Sequence, residues 1–274
     1  KGIRFWGDRL PLRMEGRLQP GEYELPGNIS SQYITGLLLA LPLLEGNSKI
    51  RLTSVLESAP YAQMTLDVLA SFDVRAVRTE EGFEVPGGQG FRSPGRYTVE
   101  GDWSQAAFWA AANALGSQVE VEGLNGQSAQ GDRAILEMLP RVLAGNCELD
   151  LSDCPDLAPI LCVAAALSPG NARITGVERL RLKESDRILC TVRCLRAIGA
   201  KIKETDFGLF IEGQKSLSGG EAECFGDHRL AMALAVAALR CEEAVTIVGA
   251  EAVNKSYPHF FEDFRSLGGK ADAL

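Results

Sequence analysis

Along its 274 residues the chain keeps returning to one order of segments: strand, helix, strand, helix, then two strands. The first round opens on Tyr23-Glu24-Leu25-Pro26-Gly27 and continues, after Ser30-Ser31, into an apolar helix pattern over residues 32–44. A strand at Lys49-Ile50-Arg51-Leu52 and a helix over 61–72 follow, and strands at 74–77 and 83–85 close the round. The order restarts at Tyr97-Thr98-Val99-Glu100-Gly101-Asp102, with a helix over 104–115, a strand over 118–122 and a helix from Gly131-Asp132-Arg133. A third round has strands at 148–151 and 172–174, helices over 157–167 and 185–198, and the closing pair 201–203 and 208–211. A fourth has strands at 221–224 and 244–248 and helices over 228–240 and 258–267. Strands alternating with helices that bury one face predict an α/β (α+β layered) fold built from repeated β-α-β-α-β-β units.

The spacing of the repeats is uneven. First helices start near 31, 104, 157 and 228, so the intervals are 73, 53 and 71 residues. The short interval predicts that about 20 residues, the closing strands, are missing between Arg133 and Leu149. Residues 3–5 and 10–14, joined across Gly7-Asp8, read either as the closing pair of an earlier unit or as a natural hairpin. The first reading predicts that further units precede them.

Composition narrows the function classes. Hydrophobic residues make up 46% and charged residues 23%, as in a soluble globular protein. A net charge of −8 argues against a general nucleic-acid or membrane-surface binder, yet leaves room for a small anion site. No stretch reaches the roughly 18 apolar residues of a membrane span, and residues 1–6 lack the apolar core of a signal peptide. The seven cysteines form no C-x-x-C pair and read as reduced core residues of a cytoplasmic protein. With only His228 and His259 available, no metal site is expected.

Charged and small polar residues gather where helices begin, and helix N-termini suit anions. Ser30, Ser31 and Asp156 read either as plain N-caps or as ligand groups. Arg229, in the first turn after Asp227-His228, opposes the helix dipole, which an anionic ligand would explain; a solvated arginine is the other reading. The run Arg179-Leu180-Arg181-Leu182-Lys183-Glu184-Ser185-Asp186-Arg187 is either a solvated face or an anion site that also offers a carboxyl group. Lys255 is a surface lysine or a member of that site. No P-loop, dinucleotide fingerprint or nucleophile elbow occurs.

Taken together, Leu25-Pro26-Gly27-Asn28-Ile29-Ser30-Ser31-Gln32, Gln130-Gly131-Asp132, Pro155-Asp156-Leu157, the run 179–187, Gly226-Asp227-His228-Arg229 and Lys255-Ser256-Tyr257-Pro258 resemble the EPSP synthase family, 3-phosphoshikimate 1-carboxyvinyltransferases, in the family's order. The resemblance implies an enolpyruvyl-transferase fold of two globular domains, here 1–97 (incomplete) and 98–274. It implies transfer of the enolpyruvyl group of phosphoenolpyruvate to the 5-hydroxyl of shikimate 3-phosphate. Ser30, Ser31, Gln32, Ser58, Tyr61, Asp156 and Lys183 would hold shikimate 3-phosphate; Gln32, Arg187, Arg229 and Lys255 would hold phosphoenolpyruvate. Asp156, with Lys183 nearby, would take the hydroxyl proton and Glu184 would protonate the methylene carbon. Arg179 stands where some members have asparagine, which leaves its substrate role in doubt. No cofactor or metal is implied, and the expected state is a cytoplasmic monomer acting on two small substrates, with no nucleic-acid or membrane partner. The family's L-P-G-[SD]-K-S lysine and N-A-G-T-x-x-R segment have no counterpart, so this chain alone is expected to be inactive. The alternatives are a UDP-N-acetylglucosamine enolpyruvyl transferase and a non-catalytic ligand-binding fragment.

Overall fold

The computed structural model describes residues 1–274, which divide into two compact units, Lys1–Val99 and Glu100–Leu274. The division falls two residues beyond the boundary between 97 and 98 that the sequence suggests.

Unit 1 begins with an antiparallel pair, β1 (Ile3–Trp6) and β2 (Arg13–Gly16), in the register Ile3↔Gly16 to Trp6↔Arg13. The second strand starts later than the expected Leu10. Pro11 cannot donate to a ladder, so pairing begins beyond it. The rest of the unit comprises β3 (Glu22–Leu25), α1 (Ser31–Ala40), β4 (Ser48–Leu52), α2 (Ala59–Ser71), β5 (Val77–Thr79) and β6 (Gly82–Val85). The sheet order is β3-β4-β6-β5, with β3 and β4 parallel and the other neighbours antiparallel. Ile34, Leu38 and Leu41 meet Ile50, Phe83, Leu69 and Val74 in a small core of its own. The expected strand over 74–77 moves to β5 because Val74 N–H closes the end of α2 on Leu69 O at 2.9 Å. The Gln89 side chain takes both backbone groups of Arg75, at 2.7 and 2.9 Å.

Unit 2 holds α3 (Trp103–Ala114), α4 (Ile135–Ala144), β7 (Cys147–Asp150), α5 (Ala158–Ala166), β8 (Asn171–Thr175), α6 (Arg187–Ala197), β9 (Lys201–Thr205) and β10 (Gly208–Glu212). It ends with β11 (Gly220–Glu223), α7 (His228–Ala238), β12 (Val245–Val248) and α8 (Phe260–Ser266). The order β7-β8-β10-β9 repeats the strand arrangement of unit 1, and β11 and β12 form a separate parallel pair. Helix α5 is apolar all round and wholly buried, so it is the centre of the large core. Trp109 of α3 stacks near Phe260 of α8, ring centroids 5.4 Å apart, which docks the last helix. All seven cysteines are free, and Cys154, Cys162, Cys190, Cys194 and Cys224 are buried in the core.

Two expected strands, 97–102 and 118–122, do not form. Side-chain amides take the backbone groups that a ladder would need. Asn113 bonds both Val119 N–H and Val119 O at 2.7 Å, and Gln130 donates to Gly101 O at 2.9 Å. After α4 the chain passes through Gly145-Asn146 straight into β7, with no strand pair between. No helix is long and apolar enough to cross a membrane.

Candidate functional site

The candidate residues lie in the connections that follow parallel strands or in the helical segments that those connections enter. Such crevices are where open α/β sheets bind ligands. In unit 1, Ser30, Ser31 and Gln32 follow β3 and open α1. Ser30 caps that helix, its Oγ accepting from Gln32 N–H at 3.3 Å; Ser31 is buried and the Gln32 side chain is exposed. Ser58 and Tyr61 follow β4 and open α2. Ser58 is buried and left-handed, with φ 53°, a conformation that is costly for a residue with a Cβ. The two crevice loops are tied together by Ser54 Oγ, which accepts from Gly27 N–H at 2.9 Å and Asn28 N–H at 3.2 Å. A Cβ on Gly27 would sit 2.8 Å from Ser54 O and Val55 O, so the approach requires glycine.

In unit 2, Asp156 follows β7, Lys183 to Arg187 follow β8, Asp227 and Arg229 follow β11, and Lys255 follows β12. These side chains converge. Asp156 Oδ1 accepts from Arg187 Nη1 at 2.8 Å and lies 3.4 Å from Lys183 Nζ; its Oδ2 accepts from Arg229 Nη2 at 2.9 Å. Arg187 is 1% exposed. Besides Asp156 it bonds Glu184 Oε2 from Nη2 at 2.6 Å, and grips Asp227 through Nε at 2.7 Å and Nη2 at 3.2 Å. Glu184 Oε1 accepts from Lys255 Nζ.

The electrostatics follow from this packing. Four cations (Lys183, Arg187, Arg229 and Lys255) meet three carboxylates (Asp156, Glu184 and Asp227), which leaves one positive charge in excess. Burial alone would raise the Asp156 pKa, but Arg229, Lys183 and Arg187 outweigh it and hold that carboxyl well below the usual carboxylate range. His228 is pushed down to about 4, first by burial and then by Arg229 beside it, so it adds no charge near neutral pH. A partly open cluster of arginines and lysines held by exchangeable carboxylates can receive phosphate and carboxylate groups.

Comparison with known proteins agrees with this chemistry. The family model described as EPSP synthase (3-phosphoshikimate 1-carboxyvinyltransferase) matches residues 6–264. This chain belongs to the EPSP synthase family. A relative from Clostridium acetobutylicum named 3-phosphoshikimate 1-carboxyvinyltransferase is 46% identical over 96% of this chain and 65% of its own length. One from Clostridium perfringens with the same name is 45% identical over 96% of this chain and 66% of its own length. The chain thus spans about two thirds of the length of these curated relatives. A solved EPSP synthase from Acinetobacter baumannii superposes with TM-score 0.80 at 25% identity, covering 97% of this chain and 68% of that one. The enolpyruvyl transferase NikO of Streptomyces tendae shares the fold at TM-score 0.68 and 17% identity, covering 98% of this chain and 69% of that one. The UDP-N-acetylglucosamine alternative is not favoured, because the matching family is that of EPSP synthase.

Within this EPSP synthase family chain, the structure brings Asp156, Lys183, Glu184, Arg187, Arg229 and Lys255 together in unit 2. It places Ser30, Ser31, Gln32, Ser58 and Tyr61 at two helix starts on adjacent strands of unit 1. Arg179 is buried and donates from Nη2 to Ser152 O at 2.9 Å, which ties the loop after β7 to the turn after β8. Gln130 and Asp132 brace the start of α3, through Trp103 N–H at 2.8 Å and Ser104 Oγ respectively. Sequence reasoning places Asp227 only at the start of the helix that carries Arg229 and gives neither it nor Ser185 a role in the site. The available signal was an acidic cap two residues before an arginine that opposes the helix dipole.

Proposed function

We propose that this chain supplies a large part of an enzyme that transfers the enolpyruvyl group of phosphoenolpyruvate to the 5-hydroxyl of shikimate 3-phosphate, releasing phosphate. The observation that carries this reading is the convergence of Arg187, Arg229 and Lys183 on the single carboxylate of Asp156, with Lys255 joined through Glu184. The phosphate and carboxylate of phosphoenolpyruvate replace Asp156 and Glu184 as partners of Arg229, Lys255 and the outward edge of Arg187. In unit 2, Asp156 and Lys183 are ligands of shikimate 3-phosphate; in unit 1, the helix starts with Ser30, Ser31, Gln32, Ser58 and Tyr61 offer ligand groups of their own.

The reaction is addition then elimination. Asp156 takes the proton of the ring hydroxyl while that oxygen bonds C2 of phosphoenolpyruvate. Glu184 takes up a proton from solvent when phosphoenolpyruvate displaces it from Lys255 and Arg187, and it delivers that proton to the methylene carbon, giving a tetrahedral intermediate. The bond from C2 to the phosphate oxygen then breaks, Glu184 recovers a proton from the methyl group, and the leaving phosphate takes the proton held by Asp156. In the unliganded protein Asp156 is a weak base, because three cations hold its carboxyl low. Substrate anions divert those cations, so its basicity rises as the site fills. Arg187, Arg229 and Lys255 stabilise the charge that develops on the phosphate.

The test is calorimetric titration of the 274-residue chain with shikimate 3-phosphate, with phosphoenolpyruvate, and with both, alongside a phosphate-release assay. Binding of phosphoenolpyruvate that strengthens when shikimate 3-phosphate is present supports the reading. Absence of binding by either substrate at millimolar concentration removes it, and binding without phosphate release favours a ligand-binding fragment. The same reading carries a cytoplasmic, monomeric protein, a state that size-exclusion chromatography with light scattering checks.

A further inference from the structure

We propose that Asp227 is the positioning residue for both arginines of the anion site, holding Arg187 by its side chain and Arg229 by its backbone. The inference rests on the reading of those arginines as phosphoenolpyruvate ligands.

Asp227 is fully buried, at 0% exposure. Its Oδ2 accepts from Arg187 Nε at 2.7 Å and from Ser185 Oγ at 3.1 Å. Its Oδ1 accepts from Arg187 Nη2 at 3.2 Å and from Arg229 N–H at 3.0 Å. One carboxylate therefore joins two segments from different repeats, the start of α6 and the start of α7.

The geometry assigns a division of labour within Arg187. Its Nε and one Nη2 hydrogen are spent on Asp227. Nη1 and the second Nη2 hydrogen point to Asp156 and Glu184, the partly exposed carboxylates that a ligand can replace. A guanidinium has two planar edges, and Asp227 fixes the buried one so that the other is presented in a single orientation. The same carboxylate caps α7, so the helix start that carries Arg229 is held against the same anchor. Aspartate suits both tasks. A glutamate is one methylene too long to cap and grip together, and an asparagine turns an N–H₂ toward arginine donors.

The experiment compares wild type, Asp227→Asn and Ser185→Ala in the 274-residue chain. Two quantities are read: the arginine Nε–Hε signals in ¹⁵N NMR without ligand, and the affinity for phosphoenolpyruvate measured with shikimate 3-phosphate present. In wild type the buried Arg187 Nε–Hε is expected as a sharp, slowly exchanging signal. In Asp227→Asn it is expected to broaden or exchange rapidly, and phosphoenolpyruvate affinity to fall by about 30-fold, with shikimate 3-phosphate affinity changed less than about threefold. Ser185→Ala, which removes one bond to Asp227, is expected to cost about threefold in phosphoenolpyruvate affinity, and it carries the test where Asp227→Asn does not fold. An unchanged Nε–Hε signal in Asp227→Asn overturns the proposal, as does phosphoenolpyruvate affinity within threefold of wild type. Should wild type bind no phosphoenolpyruvate, the functional reading fails while the NMR signal still decides whether Asp227 holds Arg187.

Discussion

The two units present candidate ligand groups of opposite character. In unit 1 they are uncharged: Ser30, Ser31, Gln32, Ser58 and Tyr61, set at the starts of α1 and α2. In unit 2 they are ions, packed so closely that each cation already holds a carboxylate. Neutral groups at helix starts carry no charge to compensate, so the unit 1 set needs no counter-ions. The buried arginines, Arg187 and Arg229, cannot stand alone, so unit 2 supplies internal carboxylates that mimic the anions it is read to bind. The same strand-to-helix geometry thus supports two electrostatic solutions. One needs no counter-charge without ligand, and the other stores its affinity in exchangeable ion pairs.

The largest expected effect lies at the centre of unit 2. Arg187→Met leaves Asp156, Glu184 and Asp227 without their common cation, and urea unfolding should show a loss of about 3–5 kcal/mol. A loss below about 1 kcal/mol would mean that the ion cluster is not what distinguishes the units.

The pH dependence of stability separates them next. His228 has a folded pKa of about 4, below its ordinary value near 6.5, so the unfolded chain binds the extra proton first. Its contribution is intact above about pH 6.5 and declines as pH falls through 4. The depressed carboxyl of Asp156 contributes stability above its ordinary value near 4, and that is lost on further acidification. Thermal midpoints of wild type should therefore drop between about pH 6.5 and 4, whereas His228→Gln should flatten that interval. Substitutions at Ser30 or Ser58 should leave the profile where it is.

Smaller effects are expected in unit 1. Ser58→Gly relieves a left-handed residue, so unfolding free energy should stay level or rise by up to about 1 kcal/mol while shikimate 3-phosphate affinity falls. A loss of stability would show that the Ser58 side chain, not the ligand, justifies that conformation. Ser30→Ala removes a helix cap whose bond is 3.3 Å long, and about 0.5–1 kcal/mol should be lost in thermal unfolding. Ser30→Asp should restore the cap and weaken binding of an anion at the same helix start.

Much of this protein could be read from residue order. The repeat and most strands and helices depend on local pattern, whereas the membership of Asp156, Lys183, Glu184, Arg187, Arg229 and Lys255 in one site came from the family resemblance, since local pattern alone also allowed caps and solvated charges. The 97–102 and 118–122 segments were misread because alternation signals a strand, whereas Asn113 and Gln130 reach across the chain to take the backbone groups first. The second strand of the opening hairpin was placed too early because pattern alone underweights the missing N–H of Pro11.

What the amino-acid order determined by itself was the alternation of elements and the kinds of charge at each helix start, since both are properties of a few neighbouring residues. Which acid holds which base was decided only in three dimensions. Asp156 and Arg229 are 73 positions apart, and Asp227 and Arg187 are 40 apart. Their meeting depends on the segments that follow β7, β8 and β11 converging from different repeats. A local pattern cannot encode that partnership, because it arises from how whole repeats pack.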